Sequence, residues 1–356
     1  MGAVCVDAQN LNFEGAVAVG SVNTAKVTEA SGIAVSSRNA GVFWTHNDGS
    51  KDHVYAFAMN GSLLADLDFS KNPDDIEDIA VGPGPDASAQ YLYIGDIGSN
   101  TADREIVHLY RMVEPAVDLN WASNPVSRTI DSGVENFQLR YPSGKYDAEA
   151  VLVDPLERAL YIITKEETEA HVFRIFINQL ADGETRDLEL VRVIAFGKVN
   201  GGSISADGTL IALRREDFAA AWVRSPGESV GTALGRAGTP IPVVGPPTEA
   251  NGEGISFLPD NSGYVTIGEG ESSPIYLFRR ATAVSCTDAP RFSGPPLVSG
   301  DVLQLNVTGC AEATVVVERS ATLDSWQEVG TVTLQGGTGT YSESAPQTQM
   351  FYRLRQ

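Results

Sequence analysis

The chain has 356 residues, with 46 Asp and Glu against 25 Lys and Arg, and a formal net charge of −21. That balance argues against a nucleic-acid polymer as partner and favours cation binding in an extracellular, saline setting. No apolar run is long enough to span a membrane, and 35 Gly with 18 Pro fit turn-rich β structure, so a monomeric protein, secreted or placed at the cell surface or in the periplasm, is expected.

Taken in chain order, the first strand-like run covers residues 13–19. A short acidic motif then appears at Glu29-Ala-Ser31-Gly-Ile33 and returns at Asp75-Ile-Glu77-Asp-Ile79, Asp147-Ala-Glu149-Ala-Val151, Asn200-Gly-Gly202-Ser-Ile204 and Asn251-Gly-Glu253-Gly-Ile255. Each copy is followed by a β-branched or aromatic run, a polar turn and a second such run. The first turn is His46-Asn-Asp48-Gly, the second Gly95-Asp-Ile-Gly-Ser-Asn100, the third Lys165-Glu-Glu167, the fourth Arg214-Arg-Glu216 and the fifth Gly268-Glu-Gly-Glu271. No long amphipathic helix competes, and self-similarity at this period marks propeller blades. The expected fold is all-β: a five-bladed β-propeller over residues 1–285, closed by the N-terminal strand in the blade of Ile255. The long interval between Ile79 and Val151 leaves room for outer strands around residues 127–141, and a sixth blade hidden there is the alternative.

From Arg291 onward the strands alternate differently, and residues 286–356 are expected to form a small β-sandwich. The three cysteines cannot pair evenly; Cys286 with Cys310 is the first choice, and Cys5 with Cys286 stays open. Their spacing offers no zinc site.

An acid at one register of successive inner strands implies a ring of carboxylates around one axis, and such a ring calls for a cation. The expected ligands of a calcium ion are Ser31, Glu77, Glu149 and Glu253, since the ring offers oxygens and neither nitrogen nor thiolate. Asp48-Gly-Ser-Lys-Asp52 lacks the terminal Glu of a calcium-binding loop and reads as a turn. The expected catalytic residues are His46, Asp75 and Asp147 for proton transfer, with Lys165 and Arg214 against a developing anion. A serine-nucleophile elbow and a phosphate-cradling Gly-rich loop are both missing from the sequence. Two classes of function remain: hydrolysis of a small ester or phosphoester, or binding by a propeller whose ion only ties the blades together.

The succession Glu29-Ala-Ser31, Glu77-Asp, Glu149-Ala, Gly202-Ser203 and Glu253-Gly resembles the central ring of the five-bladed calcium-activated nucleotidases, the soluble apyrases, in which a Ser pair stands at the fourth place. The Asp-x-Glu and Glu-Gly-Ile pattern is similar to the SdiA-regulated and phytase-like esterase propellers. These resemblances imply a calcium ion at the channel mouth and hydrolysis of phosphate esters (phosphotriesters or nucleotides), carboxylic esters or lactones. Trp44-Thr-His-Asn-Asp48 with Gly95-Asp-Ile-Gly resembles a group of exported bacterial propellers. The string Val317-Glu-Arg-Ser-Ala-Thr-Leu-Asp-Ser-Trp326, with Phe351-Tyr-Arg-Leu-Arg355 at the end, resembles C-terminal modules of exported planctomycete and verrucomicrobium proteins, which implies an accessory role.

Overall fold

A computed structural model describes residues 11–249, 251–281, 289–310, 313–346 and 348–355. The chain divides into two compact units, residues 1–281 and 282–356.

In the first unit the described strands form five sheets. The first sheet runs outward through Ala30–Val35, Val42–Asn47, His53–Ala58 and Leu63–Asp68. The second holds Ile76–Pro83, Gln90–Asp96, Ile106–Val113 and Glu135–Arg140. The third holds Ala148–Asp154, Ala159–Thr164, Ala170–Phe176 and Glu189–Ile194. The fourth holds Gly201–Ile204, Leu210–Arg215, Phe218–Val223 and Thr239–Ile241. The fifth holds Gly252–Phe257, Gly263–Gly268 and Ser273–Arg279, and its outer strand is Val17–Val22 from the start of the chain. A bridge from Phe13 to Arg280 extends that closure.

The burial pattern shows why these strands stack into a ring. Apolar residues on both faces of each sheet pack against the two neighbouring sheets. Trp44, Ala56 and Leu67 of the first sheet meet Ile79, Leu92 and Tyr110 of the second. Tyr93, Leu109 and Phe137 meet Val151, Leu160 and Phe173, Tyr161 and Val172 meet Leu213 and Trp222, and Leu210 and Ala219 meet Ile255 and Tyr264. The last cluster, with Val265 and Ile275 against Ile33, Phe43 and Phe57, returns to the first sheet. The innermost strands also pack in this cyclic order. This is a β-propeller, and burial on both faces explains the almost continuous apolar runs of its strands.

Outer strands do occupy residues 127–141, where Glu135–Arg140 joins the second sheet, and two short strands cross between neighbouring sheets. Val126–Thr129 leaves the second sheet and pairs in parallel with Leu63–Asp68 at the outer edge of the first. Thr185–Asp187, from the third sheet's connection, pairs in parallel with Glu135–Arg140 of the second.

In the second unit, Arg291–Phe292, Leu297–Ser299, Val302–Thr308 and Thr338–Ser344 form one sheet, and Thr314–Ser320, Gln327–Thr333 and Phe351–Arg355 another. Both contribute to one core of Leu303, Leu305, Val307, Val315, Val317, Val332 and Tyr341. Cys310 is disulfide-bonded; Cys286, its first-choice partner from the sequence, and Cys5 lie outside the described residues. Among the described residues no helix is long and apolar enough to cross a membrane.

Candidate metal centre

The motifs stand where the innermost strands begin, and antiparallel pairing sets each beside the end of its second strand. Ala30 pairs with Asn47, Ile76 with Asp96, Ala148 with Thr164, Gly201 with Arg214 and Gly252 with Gly268. Farther along, Ile33, Ile79, Val151, Ile204 and Phe257, with Ser203 and Ser256, line a small space of about 40 Å³ on the axis. The acidic motifs therefore share one end of the central channel.

A β-bulge aims each acid. In four sheets the ladder slips within the motif, between Ala30 and Ile33, Ile76 and Asp78, Ala148 and Ala150, and Gly252 and Gly254. The residues left over are Ser31 with Gly32, then Glu77, Glu149 and Glu253. A bulged residue leaves the alternation of the strand, so its side chain can turn to the axis while its neighbours keep their places in the core. The fourth sheet keeps an unbroken register from Gly201 to Ile204, and Gly202 stands where the others place an acid or a serine.

Local bonds hold the bulges. His46 is fully buried; its Nε2 accepts the Gly32 N–H (3.1 Å), which the bulge leaves without a ladder partner, and its Nδ1 faces the Asn47 carbonyl (2.8 Å). That geometry selects the neutral Nδ1–H tautomer, and burial lowers the imidazole pKa to about 4. Asp78 spans the seam between the second and third sheets, with Oδ1 accepting the Ile79 N–H and Oδ2 the Val151 N–H, both at 2.8 Å. Burial pushes its carboxyl well above the usual range. Asp96 accepts the Asp75 N–H (2.9 Å) and meets Arg104 Nη2 (2.8 Å), and Asp147 accepts the Ser99 N–H (2.7 Å).

The centre itself consists of carboxylates. Oxygens of Asp48, Asp75 and Glu77 lie within 4.8 Å of one another, and so do oxygens of Glu77, Asp147 and Glu149. Glu77 is 5 % exposed. Burial, then Glu149, Asp48, Asp75 and Asp147, drive its pKa far upward. Glu149 is raised by burial despite Lys165, whose Nζ lies 2.6 Å from its Oε1. Asp75 is raised to about 6 by burial, with Asp48 the next cause. Glu253 is raised to about 8 by burial, then by Glu269 and Glu149. A Cβ on Gly98 would collide with Glu77 Oε1 and lie 2.6 Å from Asp75 Oδ2, so the absence of a side chain there is what lets the backbone close over the two carboxylates.

A hard cation fits this centre on its own evidence. Asp48 Oδ1 is a buried oxygen without a hydrogen-bond partner, in a group of converging oxygens with no softer donor. Such a site suits calcium, which takes carboxylate oxygens in loose geometry. Asp48, Asp75, Glu77, Asp147 and Glu149 would hold it.

Above the acids opens a polar cavity of about 670 Å³, whose wall includes Asp147, Lys165, Lys198, Asn200, Arg215 and Glu253. Lys198 faces Glu167 (3.0 Å) and Arg215 faces Asp217 (3.0 Å).

Comparisons with known proteins stop at the fold. No family model matches the chain, and no curated protein matches it. Among solved structures, the β-propeller domain of Myceliophteria thermophila Cps50 (Swd1) is similar at 12% identity and a TM-score of 0.37, over 75% of this chain and 99% of that one. The Dos1 propeller is similar at 9% identity and a TM-score of 0.35, over 74% and 95%. Kuenenia stuttgartiensis hydrazine synthase is similar at 12% identity and a TM-score of 0.34, over 81% and 64%. The chemistry of the mouth rests on its own residues.

The structure brings Glu77, Glu149, Asp75, Asp147 and Lys165 together and adds Asp48, which the sequence reads as a plain turn. Glu253 lines the same cavity but falls outside both carboxylate groups. The Ser31 hydroxyl donates to the Glu77 main-chain carbonyl (2.7 Å). His46 and Arg214 are not brought into the cluster. His46 spends both ring nitrogens on backbone. Arg214 is wholly buried, with Nη2 2.7 Å from Glu249 Oε2 and Nη1 donating to the Gly254 carbonyl (3.0 Å). Its guanidinium occupies space that a Cβ on Gly252 would need.

Proposed function

We propose that this chain is an exported, calcium-dependent hydrolase of small phosphate or carboxylic esters, working at the mouth of the propeller channel with the C-terminal unit as an accessory module. The observation that carries the reading is the convergence of five carboxylates, the buried Glu77 at their centre having no donor among the described residues, beneath an open polar cavity large enough for a small substrate. Calcium bound there would polarise a phosphoryl or carbonyl oxygen of an ester and orient water. Lys165, paired with Glu149 and 35% exposed at the side chain, presents a positive charge to the same cavity and would stabilise negative charge developing on the substrate. Glu253, on the wall of the same cavity, would give a proton to the leaving group. The test is turnover of a panel of phosphotriesters, nucleotides, aryl esters and lactones, with calcium and with chelator, by the wild type and by Glu149→Gln. Calcium-dependent turnover that Glu149→Gln abolishes is expected; turnover unchanged by chelation would sink the reading.

One observation favours a second reading, a non-catalytic binding propeller with a structural ion. The five clustered carboxylates come from three successive sheets, so an ion among them would tie those sheets together. Calcium-dependent melting without turnover on any member of the panel would select it.

A further inference from the structure

We infer that the mouth binds two divalent cations rather than one, with Glu77 as the bridging carboxylate: one ion among Asp48, Asp75 and Glu77, the other among Glu77, Asp147 and Glu149. This goes beyond the single calcium needed for the proposed activity, and it would hold for a structural site as well.

The geometry comes first. Calcium sits about 2.3–2.6 Å from each ligand oxygen, so oxygens on opposite sides of one ion are about 5 Å apart. The oxygens of each group lie within 4.8 Å of one another, which is the span of a single ion in each case. Glu77 belongs to both groups, and a carboxylate has two oxygens to divide between two ions. Paired ions in such sites stand about 3.5–4 Å apart, a separation that one bridging carboxylate can cover.

Charge gives an independent argument. The five carboxylates of the two groups carry −5, and Lys165, ion-paired with Glu149, brings the sum to −4. One divalent ion would leave −2 among these half-buried and buried groups, whereas two leave none.

The third argument is the state of the bridging group. Glu77 is 5 % exposed, and no hydrogen-bond donor among the described residues serves its carboxylate. Asp147, by contrast, has the Ser99 N–H and Glu149 has Lys165. The carboxylate at the centre of the cluster is therefore the one that protein donors leave bare, as a bridge between cations requires. Asp48 Oδ1, in the first group, is bare as well.

The deciding experiment counts calcium bound to the full chain by equilibrium dialysis with metal analysis, at a salt concentration that screens surface sites. Two ions per chain are expected for the wild type. Asp48→Asn and Asp147→Asn should each retain one, and Glu77→Gln should lose both, with circular dichroism showing that each variant is folded. One ion per chain at saturation in the wild type overturns the second site and leaves the proposed function standing. No bound calcium overturns both. Two ions that persist in Asp48→Asn would place one of them elsewhere and also overturn the inference. Because the wild-type count is decisive by itself, a variant that fails to fold does not blunt the test.

Discussion

Buried charge is handled in two ways on opposite sides of the propeller. Between the fourth and fifth sheets a single guanidinium meets a single carboxylate: Arg214 and Glu249 are both fully buried and 2.7 Å apart, with Thr266 Oγ1 donating to Glu249 and two main-chain carbonyls accepting from Arg214 Nη1, while Arg214 Nε has no partner among the described residues. Across the first three sheets, five carboxylates converge on one lysine, and the central one has no donor. The first arrangement balances its charge one to one within the protein. The second is stable only if protons or cations enter it. The difference teaches that an acid near the axis is informative when its partners are missing, since a satisfied buried pair only maintains the fold.

The comparison can be broken most sharply at Arg214. Arg214→Met should leave Glu249 buried and unpaired and cost about 3–5 kcal/mol of stability, as removal of one partner of a buried pair does. Adding Glu249→Leu should recover much of that loss, with both effects read from urea unfolding curves. On the acid side the sign reverses: in chelator, Glu77→Gln should raise the melting temperature because it removes a buried carboxyl that must take up a proton on folding. A fall in melting temperature there would mean that Glu77 is already satisfied.

A somewhat smaller effect is expected from calcium itself. At a free concentration 100 times its Kd, calcium should stabilise the wild type by about 2.7 kcal/mol per site, and Glu77→Gln should abolish the response. Differential scanning calorimetry with and without chelator reads both.

The pH dependence of the metal-free protein follows from the raised carboxyls. Asp75 rises from 3.8 to about 6 and Glu253 from 4.5 to about 8. The folded state therefore holds protons that the unfolded state releases, and stability falls as pH rises through this range. Thermal melts in chelator should decline from about pH 4 to about pH 8 by this linkage, while calcium should flatten the profile. A chelated protein that becomes more stable toward pH 8 would contradict the assignment.

The smallest effect belongs to the rim. Lys198 and Glu167 form an exposed pair, and Lys198→Ala should change stability by less than about 0.5 kcal/mol, checked in the same unfolding assay.

Much of this arrangement was legible in the sequence, and the parts that were not have physical reasons. The recurring register exposed Glu77, Glu149 and Glu253 because a repeated acid inside apolar strands has few structural explanations. The bulges that turn them toward the axis leave no separate mark, since a bulge is one extra residue in a ladder that sequence alone does not display. Asp48 belongs to the turns expected around the mouth, but it was not read as a ligand because Asp is common in turns for local reasons. His46 and Arg214 occupy the expected chain positions, yet their side chains turn into the wall: one completes a bulge, and the other reaches into space left free by Gly252. The strand Val126–Thr129 was placed near the second sheet by sequence proximity, whereas parallel pairing at an outer edge depends on where the chain travels after leaving its own sheet.

That lacing has a consequence for how the molecule opens. The second sheet's connection supplies an edge strand to the first, and the third sheet's supplies one to the second, so main-chain hydrogen bonds run across both boundaries between the three carboxylate-bearing sheets. None of these three can swing outward alone without tearing a strand from its neighbour. Amide hydrogens on Leu63–Asp68 and Glu135–Arg140 should accordingly exchange with solvent through one shared opening event, so that the sheets around the carboxylates behave as a single jaw.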